Sequence, residues 1–219
     1  MTSRPQILAA ARRLIDQSGW EKLTVRGLAA ELGVGPTTLY HHVRDKGDLL
    51  FLLIHEYAEQ IPHPDLPGEP RDRIIAAATA IHDALCEWPW AAEVLATPGF
   101  ITRLGDSALW LIETIVAGAI DHGCTPPQAV YVFRSIWYYT VGEILVRVHT
   151  ADRWADAERP ADGETFFGGL DASRLPRLAA LGDRWATLAW QDTYPEGLRA
   201  FVDGLLAQST SAPGRTADR

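Results

Sequence analysis

The sequence predicts an all-α protein, in which a small N-terminal helix-turn-helix head is joined to a larger helical body, and three observations carry that prediction. Apolar residues recur at helical spacing through most of the 219 residues. No run of about four to eight alternating residues bounded by turn signals argues for a strand. Glycines and prolines fall between the periodic stretches, where they punctuate helices.

The first helix runs from Pro5 through Ile7, Ala10, Ala11, Leu14 and Ile15, and Gly19 supplies its C-terminal stop. Thr24 then precedes the one-sided stripe Val25, Leu28, Ala29 and Leu32, and its hydroxyl can cap a second, short helix that Gly33 ends. After Gly33-Val34-Gly35, Pro36 suits the first turn of a third helix through Thr38, Leu39, Tyr40 and Val43. Asp45 can cap a fourth, from Lys46 through Leu49, Leu50, Leu53, Ile54 and Tyr57 to Pro62.

Pro62, Pro64, Pro67, Gly68 and Pro70 form the densest breaker cluster and read as a linker between head and body. Beyond it, a helix from Arg71 passes Ile74, Ile75, Ala78, Ile81, His82 and Leu85 and stops before Pro89. A helical turn from Ala91 to Leu95 ends at Pro98-Gly99, and two long helices follow, Ile101 to His122 and Pro126 to His149. The acidic, Gly- and Pro-containing stretch from Ala151 to Asp171 predicts a loop. Arg174 to Trp190 and Pro195 to Ala207 predict the last two helices, and the polar residues from Ser209 to Arg219 a frayed tail. The expected division is a head over 1–48, a body over 49–208 and a tail over 209–219.

The net charge of −8 argues against nucleic-acid binding when taken alone, because phosphates are neutralised by Lys and Arg. Its distribution reverses that reading. The first fifty residues hold seven basic and five acidic side chains, which leaves 13 and 23 for the remainder. Both lysines, Lys22 and Lys46, lie in the head. No apolar run approaches the roughly 18 residues of a membrane helix, and Met1 to Gln6 carry no secretion signal, so a cytoplasmic protein without membrane partners is expected. Cys86 and Cys124 lie far apart in apolar patterns and read as free thiols.

A helix, a tight glycine turn and a short second helix allow one helix to enter the DNA major groove while its predecessor braces against the backbone. Leu28, Leu32, Val34 and Leu39 would form the shared core, which turns Thr37, Thr38, His41 and His42 outward. The stretches Leu23-Thr-Val-Arg-Gly-Leu-Ala-Ala-Glu-Leu-Gly-Val, Gly35-Pro-Thr-Thr-Leu-Tyr-His-His-Val and Asp45-Lys-Gly-Asp-Leu-Leu resemble the DNA-binding head of the tetracycline-repressor (TetR) family. The resemblance covers about the first sixty residues. It implies that Arg26 and Thr38 meet bases or phosphates and that Thr37, Tyr40, His41 and His42 line the recognition helix. It further gives Tyr40 a phosphate contact and Lys46 a grip on the backbone.

More weakly, the body resembles the ligand-binding domain of the tetracycline repressor through its helix order and the stretches Tyr139-Thr-Val-Gly-Glu143 and Leu175-Pro-Arg-Leu. That likeness implies a homodimer joined through Pro126 to His149 and Pro195 to Ala207, and a repressor by family habit. The magnesium-binding histidine of that repressor falls at or near Leu95, so tetracycline–magnesium is not the expected effector.

Independently of any resemblance, Pro126 to His149 is apolar on two faces: Val130, Phe133, Trp137, Val141 and Ile144 on one, Ala129, Val132, Ile136 and Thr140 on the other. Such a helix needs cover on both sides, which predicts one face inside the monomer and one against a second chain. Among eight tryptophans, Trp88, Trp90, Trp110 and Trp137, with Phe100, Phe133 and Tyr138, fall in helices expected to enclose a pocket for a hydrophobic or aromatic effector of unspecified identity. For any one of them, ordinary core packing is the commoner role. His82 and Glu143 are the polar candidates, either for ligand contact or as hydrogen-bonded core.

Three signals lead nowhere. His55-Glu56 lacks the second histidine of a zinc-protease helix, since Glu59 stands there. Gly33-Val-Gly-Pro-Thr-Thr lacks the strand and third glycine of a dinucleotide loop. His41 and His42 diverge by about 100° on a helix and cannot readily chelate one ion. No cofactor, metal or catalytic residue is therefore expected. A helical enzyme acting on an apolar substrate and an effector-less dimerisation module are the rival readings; no nucleophile–base or paired-carboxylate spacing supports the enzyme.

Overall fold

The computed structural model describes residues 3–97, 100–156, 169–182, 184–189 and 191–210, and among these every regular element is helical. The head comprises α1 (Arg4–Ser18), a 3-10 turn (Trp20–Lys22), α2 (Val25–Glu31), α3 (Pro36–Tyr40) and the first turns of α4 (Lys46–Ala58). The body comprises the remainder of α4, α5 (Pro70–Glu87), α6 (Pro89–Leu95), a 3-10 turn (Phe100–Arg103), α7 (Asp106–Asp121), α8 (Pro126–Asp156), α9 (Pro176–Leu181), α10 (Arg184–Ala189) and α11 (Tyr194–Thr210). The expected boundary at residue 48 falls inside α4, one continuous helix.

Local signals set the head. The Thr24 hydroxyl accepts from Gly27 N at 3.0 Å and caps α2. At the other end Gly33 takes φ +64°, Gly33 N donates to Ala30 O at 3.1 Å and Val34 N to Ala29 O at 3.0 Å. This pairing closes a helix through a left-handed residue that a side chain would strain. The Asp45 carboxylate accepts from Asp48 N at 2.7 Å and caps α4. With five residues, α3 has little stability of its own. Leu39, fully buried, and Val43 anchor it; truncating Leu39 to Ala removes about 2–5 kcal/mol.

In the body, α5, α7 and α8 form the main packing layer, closed by α11. Gly118 of α7 lets α5 approach: a Cβ there would stand 2.8 Å from Ile74 Cγ1 and 3.0 Å from Pro70 O. Arg71 of α5 forks onto Asp203 of α11, with Nε to Oδ1 at 2.5 Å and an Nη2 to Oδ2 contact at 2.9 Å.

Several expectations are corrected. Trp20–Lys22 forms a turn of helix that the sequence pattern did not show. The helix expected from Ile101 begins at Asp106, after a 3-10 turn. Residues 151–156, expected to be loop, continue α8, because Ala151-Asp-Arg-Trp-Ala-Asp holds no Gly or Pro to stop it. Arg174 to Trp190 is not one helix: Gly182, at φ +44°, separates α9 from α10. Tyr194–Thr210 extends into the expected tail. Pro98-Gly99, residues 157–168 of the expected loop and 211–219 of the tail lie outside the described residues.

The two-sided character of α8 also resolves differently. Phe133, Trp137, Val141 and Ile144 are buried within the monomer, and so are Ala129, Val132, Ile136 and Thr140. Apart from Val130, both expected stripes are covered within the same chain, where α8 packs against α5, α6, α7 and α11. A third face is exposed and apolar: Val130, Tyr131, Tyr138 and, 68 % exposed, Val146.

Candidate functional site

On the head, Thr37, Thr38 and Tyr40 lie on α3, His41 and His42 directly follow it and Arg26 lies on α2, and all six are exposed. Tyr40 is about half-exposed while Leu39 beside it is fully buried, so the short helix presents one polar and aromatic face. Lys46 differs. Its Nζ donates to Glu21 O at 2.6 Å and lies 5.0 Å from the centre of the Trp20 ring. The ammonium is thus held at the head surface by the 3-10 turn, with donors remaining for a phosphate oxygen. Trp20 Nε1 in turn donates to Glu93 Oε2 of α6 at 2.8 Å, a head-to-body bond across 73 positions.

The body holds an apolar pocket, partly open to solvent, with a cavity volume of about 70 Å³. Its walls include Tyr57 and Ile61 near α4, Ala84 of α5, Leu95 of α6, Ile112 of α7 and Phe133 of α8. Of the aromatic residues singled out in the sequence, Trp88, Phe100, Phe133 and Trp137 line it. Trp88 stacks on Tyr57 at 4.1 Å between ring centres and Phe100 on Trp137 at 4.8 Å. The other candidates are not among its walls, Trp90 lying edge-on to Tyr57 at 6.1 Å between ring centres. Trp110 stacks on His63 at 4.1 Å, on a face of α7 turned from the cavity. Tyr138 and Glu143 border a separate, open cavity with Tyr139, Arg147, Gln191 and Asp192. His82, buried, stacks on Tyr194 at 3.6 Å. The composition of α7 and α8 marked these residues as interior without giving the side of each helix that faces the void.

Tyr57, part of the apolar pattern of α4, both lines the pocket and meets the head. The Arg12 guanidinium of α1 lies 4.9 Å from its ring centre and pairs with Glu56. Burial, the largest influence, raises the Tyr57 phenol above its ordinary value, so it remains neutral beside this cation.

Around His82 a polar cluster forms whose only local sign in the sequence is the four-residue spacing of His82 and Cys86. His82 Nε2 stands 3.0 Å from Glu143 Oε2 and 3.4 Å from Cys86 Sγ, and Nδ1 stands 3.1 Å from Asp83 Oδ1. Arg147 Nε donates to Glu143 Oε1 at 2.7 Å. Burial raises the Cys86 thiol, partly offset by Arg147.

A glycine-closed helix-turn-helix with an exposed second helix, mounted on a helical body around an apolar pocket, defines the class of one-chain DNA-binding regulators. Comparison places the chain within that class. Residues 7–53 match the family described as "Bacterial regulatory proteins, tetR family", and residues 63–209 match "Tetracyclin repressor-like, C-terminal domain". The chain belongs to the TetR family and is a transcriptional regulator. It is 31 % identical over 213 residues to the HTH-type transcriptional repressor DrrR1 of Streptomyces coeruleorubidus, covering 91 % of this chain and 76 % of that one. It is 27 % identical over 204 residues to the class A tetracycline repressor protein from transposon 1721 of Escherichia coli, covering 91 % and 88 %. Among solved structures, apo ActR from Streptomyces coelicolor superposes with a TM-score of 0.72 at 22 % identity, covering 97 % of this chain and 98 % of that one.

Proposed function

We propose that the protein is a homodimeric repressor that binds a palindromic operator through α3 and is released by a small hydrophobic or aromatic effector held in the apolar pocket. The observation that carries this reading is the junction of the two parts: the pocket walls Tyr57 and α6 touch the head through Arg12 and through the Trp20–Glu93 bond. An effector that prefers one position of α4 and α6 biases the head by its differential affinity. Tyr40 and Lys46 contact phosphates; Arg26, Thr37, Thr38, His41 and His42 approach bases or backbone. Trp88, Phe100, Phe133 and Trp137 contact the effector. The exposed face Val130, Tyr131, Tyr138 and Val146 of α8 meets its symmetry mate, which supplies the two-fold that paired half-sites require. The protein acts by binding, without turnover, in the cytoplasm; among the described residues no helix is long and apolar enough to cross a membrane.

The test is fluorescence anisotropy of the protein on DNA from its own upstream region across a salt series. Sequence-selective binding that weakens steeply with salt supports the reading, and Tyr40→Ala should weaken it at least tenfold. Binding indifferent to sequence and to Tyr40→Ala overturns it.

A further inference from the structure

We infer that His82, Cys86 and Glu143 form a binding site for one thiophilic divalent ion of the zinc class, bridging α5 and α8. His82 and Cys86 stand four positions apart on one face of α5, and Glu143 meets them from α8. One ligand atom from each residue lies within 4.8 Å of the other two. In a tetrahedral zinc site with bonds of about 2.0 Å to nitrogen or oxygen and about 2.3 Å to sulfur, the N–S separation is about 3.5 Å and the N–O separation about 3.3 Å. The observed 3.4 Å and 3.0 Å need adjustments of only a few tenths of an ångström.

The surroundings have the form that metal-binding histidines require. Nδ1 of His82 faces Asp83 Oδ1 at 3.1 Å, and a proton held there leaves the Nε2 lone pair toward Cys86 and Glu143. The ring is fixed from its face by Tyr194, stacked at 3.6 Å and itself tied by its hydroxyl to Thr140 Oγ1 at 2.8 Å. Arg147 occupies the other oxygen of Glu143, which turns Oε2 inward. An open cavity bordered by Glu143 and Arg147 offers an ion a path toward the donors. Mixed nitrogen, thiolate and carboxylate donors suit zinc or cobalt rather than magnesium or calcium.

Cobalt(II) reads this directly, because thiolate coordination adds a charge-transfer band in the near ultraviolet. Titration of the reduced full-length protein should show that band saturating at one equivalent, and zinc should bleach it. Cys124→Ser should keep the band and Cys86→Ser lose it, with helical circular dichroism unchanged in both. Glu143→Gln and Asp83→Asn should each weaken cobalt binding at least tenfold. Absence of the band in the wild-type protein, or a band that survives Cys86→Ser, overturns the proposal.

Discussion

Trp20 Nε1 donates to Glu93 Oε2 at 2.8 Å, and this bond ties the head to α6, which also walls the pocket. Ala91 and Leu95 of α6 line the cavity while Glu93, between them, reaches the head. Trp20 also carries Lys46 over its ring. A displacement of α6 is therefore felt at a cation of the proposed DNA face through two contacts.

The bond joins an indole to a partly buried carboxylate, a type worth about 1.5–3 kcal/mol. Trp20→Phe keeps the ring beneath Lys46 and removes the donor. Urea denaturation of Trp20→Phe, Glu93→Gln and the double variant should give a coupling energy of at least about 1 kcal/mol. Strictly additive losses would show that the contact does not join head and body.

Pocket occupancy can be read with a neutral apolar dye such as Nile red. Ala84→Phe projects a ring into the cavity and should weaken dye binding at least tenfold. Trp110→Phe, on the far side of α7, should change it less than twofold. Equal effects would place the dye outside this cavity.

Val146 is exposed on α8, so Val146→Arg should leave the monomer's urea midpoint within error. A charge at a two-fold face meets its own copy. Sedimentation equilibrium should show a shift to monomer and at least tenfold weaker operator binding. An unchanged dimer would exclude this face.

Acid should loosen the entry to α4. Asp48 accepts from Arg44 N at 3.0 Å, the main influence that lowers its pKa below 3.8. Because the folded value is depressed, the stabilisation is fully present above about pH 4 and is lost as pH falls through the folded value. Asp48→Asn should cost about 1 kcal/mol at pH 7, and its stability gap to the wild-type protein should close on acidification below pH 4. A gap independent of pH would assign the loss to packing.

The head was legible in the sequence because its determinants are local: Thr24, Gly33, Pro36 and Asp45 each act within four residues of themselves. The body was legible only as helices. Whether Trp88 or Trp110 faces a cavity depends on how α5, α7 and α8 rotate against one another, and helical periodicity leaves that rotation open. The Trp20–Glu93 bond and the meeting of His82 with Glu143, 61 positions apart, are products of packing. Only the four-residue spacing of His82 and Cys86 hinted at the cluster, and Cys86 had been read as a lone buried thiol. Val130 was assigned to a stripe that proved internal because α8 is covered by its own chain on two sides.

The most direct measurement is a nuclease footprint of the full-length protein on the DNA upstream of its own gene. Two protected half-sites in successive major grooves, about one helical turn apart and both lost in Tyr40→Ala, are expected. A single protected half-site, or protection that survives Tyr40→Ala, would contradict a two-fold regulator reading DNA through α3.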